Sequence, residues 1–410
     1  MKPQLSIALL LAAAASQAGW MPDSPILRAG DDVDIYFTAR ARFDYNSNLF
    51  FGSAPGLPNH GSSWTIGPGL SADFFKEANL SASAHWQRDF VRFLDAKLKG
   101  LDDERDVGGA TLTYDGGGPL TLHLEGSYQE DARNTSDLIT LVPPFDSAGT
   151  LLRQTLYSQS ATLGYRLTDK ISLSLAATHS SNRYDPVKHL NDALFNTQGL
   201  TESNGWTFPL NIRYQVRERL NVGLSYEHGA YDITRARLST APLAYTGFTK
   251  DFTGLTLSGQ PTPSRKLDVN LKVGYLKSVY NGGVDPHGAL SYSVALTHTL
   301  TEKTNHSLSF GQDSSIAVNG RRSNATTGQY TLNYVRDDAF RASAFAGLST
   351  SAVEVGAPAS AGIRTGSYGV NATYSPDSHW TYVASYTLTQ AYAPNTYNVQ
   401  QIALEANLRW

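Results

Sequence analysis

Ten ionisable side chains share one context: each sits on the polar phase of a run in which every second residue is apolar. They are Arg40, Arg42, His85, Glu125, Arg166, Arg213, Glu227, Lys272, Glu405 and Arg409. On a β-strand, alternate residues point to opposite faces, so each of these side chains shares a face with Ser, Thr, Asn and Gly. Mixed charge on such a face suits the wall of a water-filled passage, tuning the movement of a hydrophilic solute. A watery lumen that merely tolerates charge predicts the same residues. No ring of one sign dominates, so strong ion selectivity is not expected.

Catalysis finds little support. His179, His228 and His298 have Ser, Asp or Glu nearby in sequence, which chance produces in a Ser-rich chain. No catalytic residue is assigned. No close histidine pair lies on one strand face, so no metal site is assigned, and no cofactor is expected. The Gly-rich GGGP (116–119) follows a strand but opens no helix, which makes it a turn and not a phosphate loop.

These side chains would be positioned almost entirely by strands. LTLHLEG (120–126), LNVGLSY (220–226) and LDVNLKVGY (267–275) alternate strictly. Eighteen such segments can be counted, from 33–44 to 399–410. Most are long enough to cross a bilayer as tilted strands of about 9–11 residues. Their connections alternate too. Short polar turns, such as KEA (76–78), TDK (168–170), RER (217–219) and RDD (336–338), follow the even segments. Longer stretches at 45–63, 131–153, 185–203 and 233–247 follow odd ones. A spanning sheet must satisfy its backbone without water, so it must close on itself. The expected fold is all-β: a single closed antiparallel transmembrane β-barrel of about 18 strands, with short periplasmic turns and long extracellular loops.

Tyr114, Tyr165, Tyr214, Tyr334 and Tyr374 each precede a short turn on the apolar phase. With Trp410 they read as an interfacial girdle; Trp86, Trp206 and Trp380 read as members of such belts. The terminal QIALEANLRW reads as the last strand, pairing with the first to remove both edges. Within 131–153, the segment 137–152 is unusually apolar for a loop; it suits a lumenal constriction, a partner surface or an added hairpin.

The net charge of −3 leaves no footprint for nucleic acid, and the absence of cysteine fits an oxidising compartment. Residues 1–18 have the charged start, apolar stretch and small-residue end of a cleaved signal peptide. The expected organisation is a signal peptide over 1–18, a short periplasmic tail over 19–32 and the barrel over 33–410, placed in a Gram-negative outer membrane. Outer-membrane lipid is the expected surrounding.

Residues 41–93 carry Asp44, Tyr45, Asn48, Leu49 and Phe50, then Pro68-Gly69-Leu70, then Trp86. This order resembles the opening of the type-two outer-membrane β-barrel porins. The resemblance implies a conduit for exopolysaccharide or capsular polysaccharide export, working with a periplasmic polysaccharide-export protein. The terminal Trp410 also resembles the C-terminal aromatic signal read by the outer-membrane assembly machinery. A general diffusion porin for small hydrophilic solutes and a non-conducting structural or adhesive barrel remain open alternatives.

Overall fold

The computed structural model describes residues 25–30, 32–49, 58–75, 79–133, 150–189, 201–235, 246–262, 266–281, 287–316, 322–353, 363–393 and 396–410. The strands in chain order are β1 (Leu27–Ala29), β2 (Val33–Asn46), β3 (Gly61–Phe74), β4 (Leu80–Phe93), β5 (Asp103–Asp115), β6 (Leu120–Arg133), β7 (Thr150–Arg166), β8 (Ile171–His189), β9 (Thr201–Arg217), β10 (Leu220–Arg235), β11 (Gly247–Gly259), β12 (Leu267–Tyr280), β13 (His287–Thr301), β14 (Thr304–Ile316), β15 (Arg322–Val335), β16 (Phe340–Val353), β17 (Ile363–Tyr374), β18 (Trp380–Ala393) and β19 (Tyr397–Arg409). Each of β2 to β19 pairs antiparallel with its sequence neighbour. β19 returns to β2, with Glu405 opposite Arg42 and Arg409 opposite Thr38, and this seam closes the eighteen-strand barrel.

The seam extends to the last residue. Trp410 N–H donates to the Phe37 carbonyl at 2.7 Å, and Phe37 N–H donates to the Trp410 carbonyl at 2.5 Å. Closure matters because an open edge in a bilayer would leave a row of backbone groups unpaired, each costing several kcal/mol.

The two faces differ as the alternation requires. Leu224, Leu255, Leu290 and Leu348 point outward and are exposed. Their inward neighbours are small or polar, as with Gly223, Ser225, Gly254, Thr256, Ala289, Ser291 and Ser349. Prolines interrupt the ladder locally. Pairing of β3 with β4 skips the positions around Pro68, and pairing of β8 with β9 skips those around Pro209. A proline has no N–H to give to the neighbouring strand.

One end carries tight turns. In the 116–119 turn, Gly117 has φ +68° and its N–H donates to Asp115 at 3.2 Å, a conformation that favours glycine. At the other end the connections after β2, β6, β8 and β10 are long, whereas those after β14 and β18 are short. The sidedness read from the sequence is therefore strong in the first part of the chain and weak near its end.

Two features depart from expectation. The tail over 19–32 contains a strand: β1 pairs with the start of β2, Arg28 facing Asp34 across the hairpin, with Arg28 Nε donating to Asp34 at 3.0 Å. Three residues are too few for alternation to show. A 3₁₀ turn, Ala96–Leu101, interrupts the β4–β5 connection, capped by the Asp95 side chain, which accepts from Lys97 N–H. The segment 1–18 and residues 134–149 of the apolar loop lie outside the described residues.

Candidate functional site: the barrel lumen

Inward charges on the wall formed by β19, β2, β3 and β4 are paired across strands. Arg40 on β2 bonds Asp89 on β4, reaching across β3. Gln87 Nε2 donates to the same carboxylate at 2.6 Å. The reach is possible because Gly67 of β3 faces inward without a side chain; a Cβ there would collide with Asp89 and Gln87. Gly69 likewise leaves room for Thr38. The residues around Pro68-Gly69-Leu70 thus have a local physical role.

A second group lies along the closing seam. Arg42 donates to Asp44 at 2.7 Å and to Glu405 at 3.3 Å, and Asn407 Nδ2 donates to Glu405 at 2.7 Å. Nearer the short-turn end, Arg409 donates to Asp73 at 2.5 Å while its guanidinium lies 4.0 Å from the Tyr36 ring centroid. On the far wall, Glu227 sits between Lys250 at 3.0 Å and Lys272 at 3.9 Å. Lys272 Nζ lies 4.2 Å from the centroid of Phe252.

Four of the ten positions behave differently. Glu125 lies 3.8 Å from His123, whose Nδ1 contacts the Thr113 hydroxyl at 2.9 Å. Arg166 donates to the Gly118 carbonyl at 3.0 Å, near a short turn. Among the described residues, the His85 and Arg213 side chains make no hydrogen bond or ion pair. Arg166 faces Ser172, Ser172 faces Arg213, and the same register row continues through Gly223 and Thr256 to Lys272. Three cations therefore share one row, separated by small neutral residues. The wall of β13 to β18 is different again, carrying inward Ser293, Ser309, Gln329, Asn371, Ser385 and Thr387.

The loop end of the lumen is narrowed from one side. Leu98 and Leu101 of the 3₁₀ turn are 0% exposed. The turn packs against β4 and, across the mouth, against β8. Leu49, Phe93 and Leu98 surround inward-facing Gly61. Below them Asp103 bonds both Arg153 and Arg105, at 3.2 Å for the latter. From the sequence, a constriction is one of three alternatives for 137–152 and is expected nowhere else; the inward element among the described residues is 94–102. On β10 to β12, Ile233, Phe248 and Tyr280 form a buried apolar cluster on the inward face.

On the outer face, Tyr114, Tyr165, Tyr214, Tyr334 and Tyr374 are all exposed near the short turns. Trp380 stacks on Tyr382 there. A second aromatic row lies toward the loops: Trp86 stacks on Tyr128, and Tyr157, His179, Trp206 and Phe208 continue it. On β7 the rows are eight positions apart, from Tyr157 to Tyr165, and on β9 likewise from Trp206 to Tyr214. At about 3.3 Å per residue and a tilt of about 40°, that is roughly 20 Å of height, near the apolar band of a membrane barrel. Beyond the loop-side row the outward residues become charged, with Arg88 bonding Glu104 at 2.7 Å.

No protein-family model and no curated protein matches the chain. Among solved structures, the outer-membrane protein opdK from Pseudomonas aeruginosa is 12% identical, with a TM-score of 0.47, covering 92% of this chain and 99% of that one. A BenF-like porin from Pseudomonas fluorescens is 11% identical, with a TM-score of 0.48, covering 93% and 99%. The FrpB iron transporter from Neisseria meningitidis is 13% identical, with a TM-score of 0.49, covering 88% and 62%. The resemblance of residues 41–93 to the type-two porins gains no support from these comparisons.

Proposed function

We propose that the protein is an outer-membrane diffusion channel for small hydrophilic solutes. The observation that carries this reading is the two-faced closed wall: eighteen strands, apolar outside between two aromatic rows and polar inside. Barrels of this strand number enclose an aqueous channel and not a packed core. Gram-negative outer membranes are where such barrels, with short turns on one side, reside.

The inner wall supports weak and not strong ion selectivity. Most of its carboxylates are neutralised by arginine or lysine partners, across the strands for Asp89, Glu405, Asp73 and Glu227 and along the strand for Asp44. Eight of the ten inward candidates then act in two ways: Arg40, Arg42, Glu227, Lys272, Glu405 and Arg409 as paired wall elements, and Arg166 and Arg213 as open cations facing the solute. The aromatics at the short-turn end, with Trp410, anchor the barrel in headgroups.

Polysaccharide export, with its periplasmic partner, gains nothing specific from the geometry. An extended polymer needs a wide bore, and the inward turn at Ala96–Leu101 narrows the mouth. Channel activity is tested with purified protein in planar bilayers and with liposome swelling in sugars of graded size. Stepwise conductance and size-limited swelling are expected. A sealed bilayer with correctly folded protein overturns the reading.

A further inference from the structure

His298 of β13 and His306 of β14 face each other in register across the two-residue turn at 302–303. Both lie on the outward phase, between exposed Leu300 and Leu308. His298 Nδ1 is 3.1 Å from His306 Nε2, and the rings are steeply inclined with centroids 5.3 Å apart. The other nitrogen of His306, Nδ1, lies 3.2 Å from the Tyr330 hydroxyl. Sequence alone does not pair these two histidines, because they are on different strands and only the register brings them together.

We propose that His298 and His306 form a two-imidazole site for a divalent transition metal, Cu²⁺, Ni²⁺ or Zn²⁺, on the outer wall at the short-turn end. The spacing of the nitrogens fits. Metal–nitrogen bonds of about 2.0–2.1 Å place two nitrogens about 3.3 Å apart at a tetrahedral ion and about 2.9 Å apart at a square-planar one. The observed 3.1 Å lies between these values. The Tyr330 contact supplies the outer partner that metal-bound imidazoles ordinarily have. With His306 Nδ1–H donating to Tyr330 Oη, the Nε2 lone pair points at His298. A shift of the His298 proton from Nδ1 to Nε2 then presents a second lone pair, with no change in net charge. Aliphatic neighbours alone would offer no ligand.

The level of the pair allows exchange with water. Thr304 faces girdle residue Tyr334, and His306 stands one outward position farther along β14. That places the nitrogens at the edge of the apolar band, within reach of the aqueous interface. No group of three or more ligating side chains occurs among the described residues. The protein therefore supplies two ligands and water completes the shell, making this an open, exchangeable site and not a structural one.

The test uses the tag-free full chain, folded in detergent micelles, with Cu²⁺ alone as the probe. Titration calorimetry should give one tight equivalent, and the electron paramagnetic resonance spectrum should show coupling to two imidazole nitrogens. His298→Ala and His306→Ala should each weaken binding by more than about tenfold, and Tyr330→Phe by less. Heat-modifiable mobility on gels reports folding of each variant. Should the variants not fold, paramagnetic broadening in the unaltered protein must centre on the turn between β13 and β14. Undiminished binding in a folded His306→Ala variant, or broadening centred elsewhere, overturns the proposal.

Discussion

Gly67 shows how much a single missing side chain can arrange. It lets Arg40 and Asp89 meet over β3, and Asp89 is only 2% exposed beneath them. Gly67→Val should push the pair apart and cost about 1–3 kcal/mol, as overpacking does. A lowered urea midpoint of the folded band on gels checks this, with unchanged conductance expected because the pair lies against the wall. The turn at 336–339 offers a pH effect outside the spanning strands. Arg336 Nε donates to Asp337 at 2.8 Å, and Phe340 and Ala339 N–H groups donate to its other oxygen. The guanidinium bond first, then the backbone bonds, hold this carboxyl below its ordinary value. A depressed folded value means the stabilisation is complete above the unfolded carboxylate range. It is lost as pH falls through the lower folded value. Amide exchange in this turn should accelerate under acid beyond the intrinsic trend, and Asp337→Asn should remove the excess.

At the scale of elements, all eighteen barrel strands were legible because alternation repeats over many residues and one face must be apolar. LDVNLKVGY could hardly be anything else. What was not legible depends on register or on contacts between distant segments. Arg40 and Arg42 were readable as polar-phase residues, but their pairing with Asp89 and Glu405 was not, since nothing in one strand states how its neighbours slide. The AKLKGL sequence of the 3₁₀ turn likewise does not say whether it folds inward or outward. Replacing Leu98 with Ala should cost about 2–4 kcal/mol locally, because that side chain is fully enclosed. Leu98→Ser with Leu101→Ser should free the turn from the mouth and raise single-channel conductance; an unchanged value would show that the narrowest point lies elsewhere. The last strand was legible to its end. Deleting Trp410 removes both of its hydrogen bonds to Phe37 and one aromatic from the lower row. Slower insertion into lipid vesicles, followed by the appearance of the heat-modifiable form, is the expected result.

For the whole molecule, the deciding property is how charge is shared between wall and solute. An ion pair held across strands presents a small field to a passing ion, whereas a cation without a carboxylate partner presents its full charge at close range. Arg166 and Arg213 are separated by one strand and by Ser172, so their Cα atoms lie about 10 Å apart on the lumen wall. That spacing is close to the Debye length at about 0.1 M salt, so below this concentration the two fields overlap and above it they separate. Replacing both with Ser should therefore move the reversal potential in a potassium chloride gradient toward cation preference. The movement should be larger at low salt than near 1 M. Replacing Arg40 and Asp89 together should leave that potential nearly unchanged, because the pair is removed with its charges balanced. If the two double variants shifted selectivity equally, pairing would not be what sets the lumenal field, and the arrangement of the charged wall would matter for stability alone.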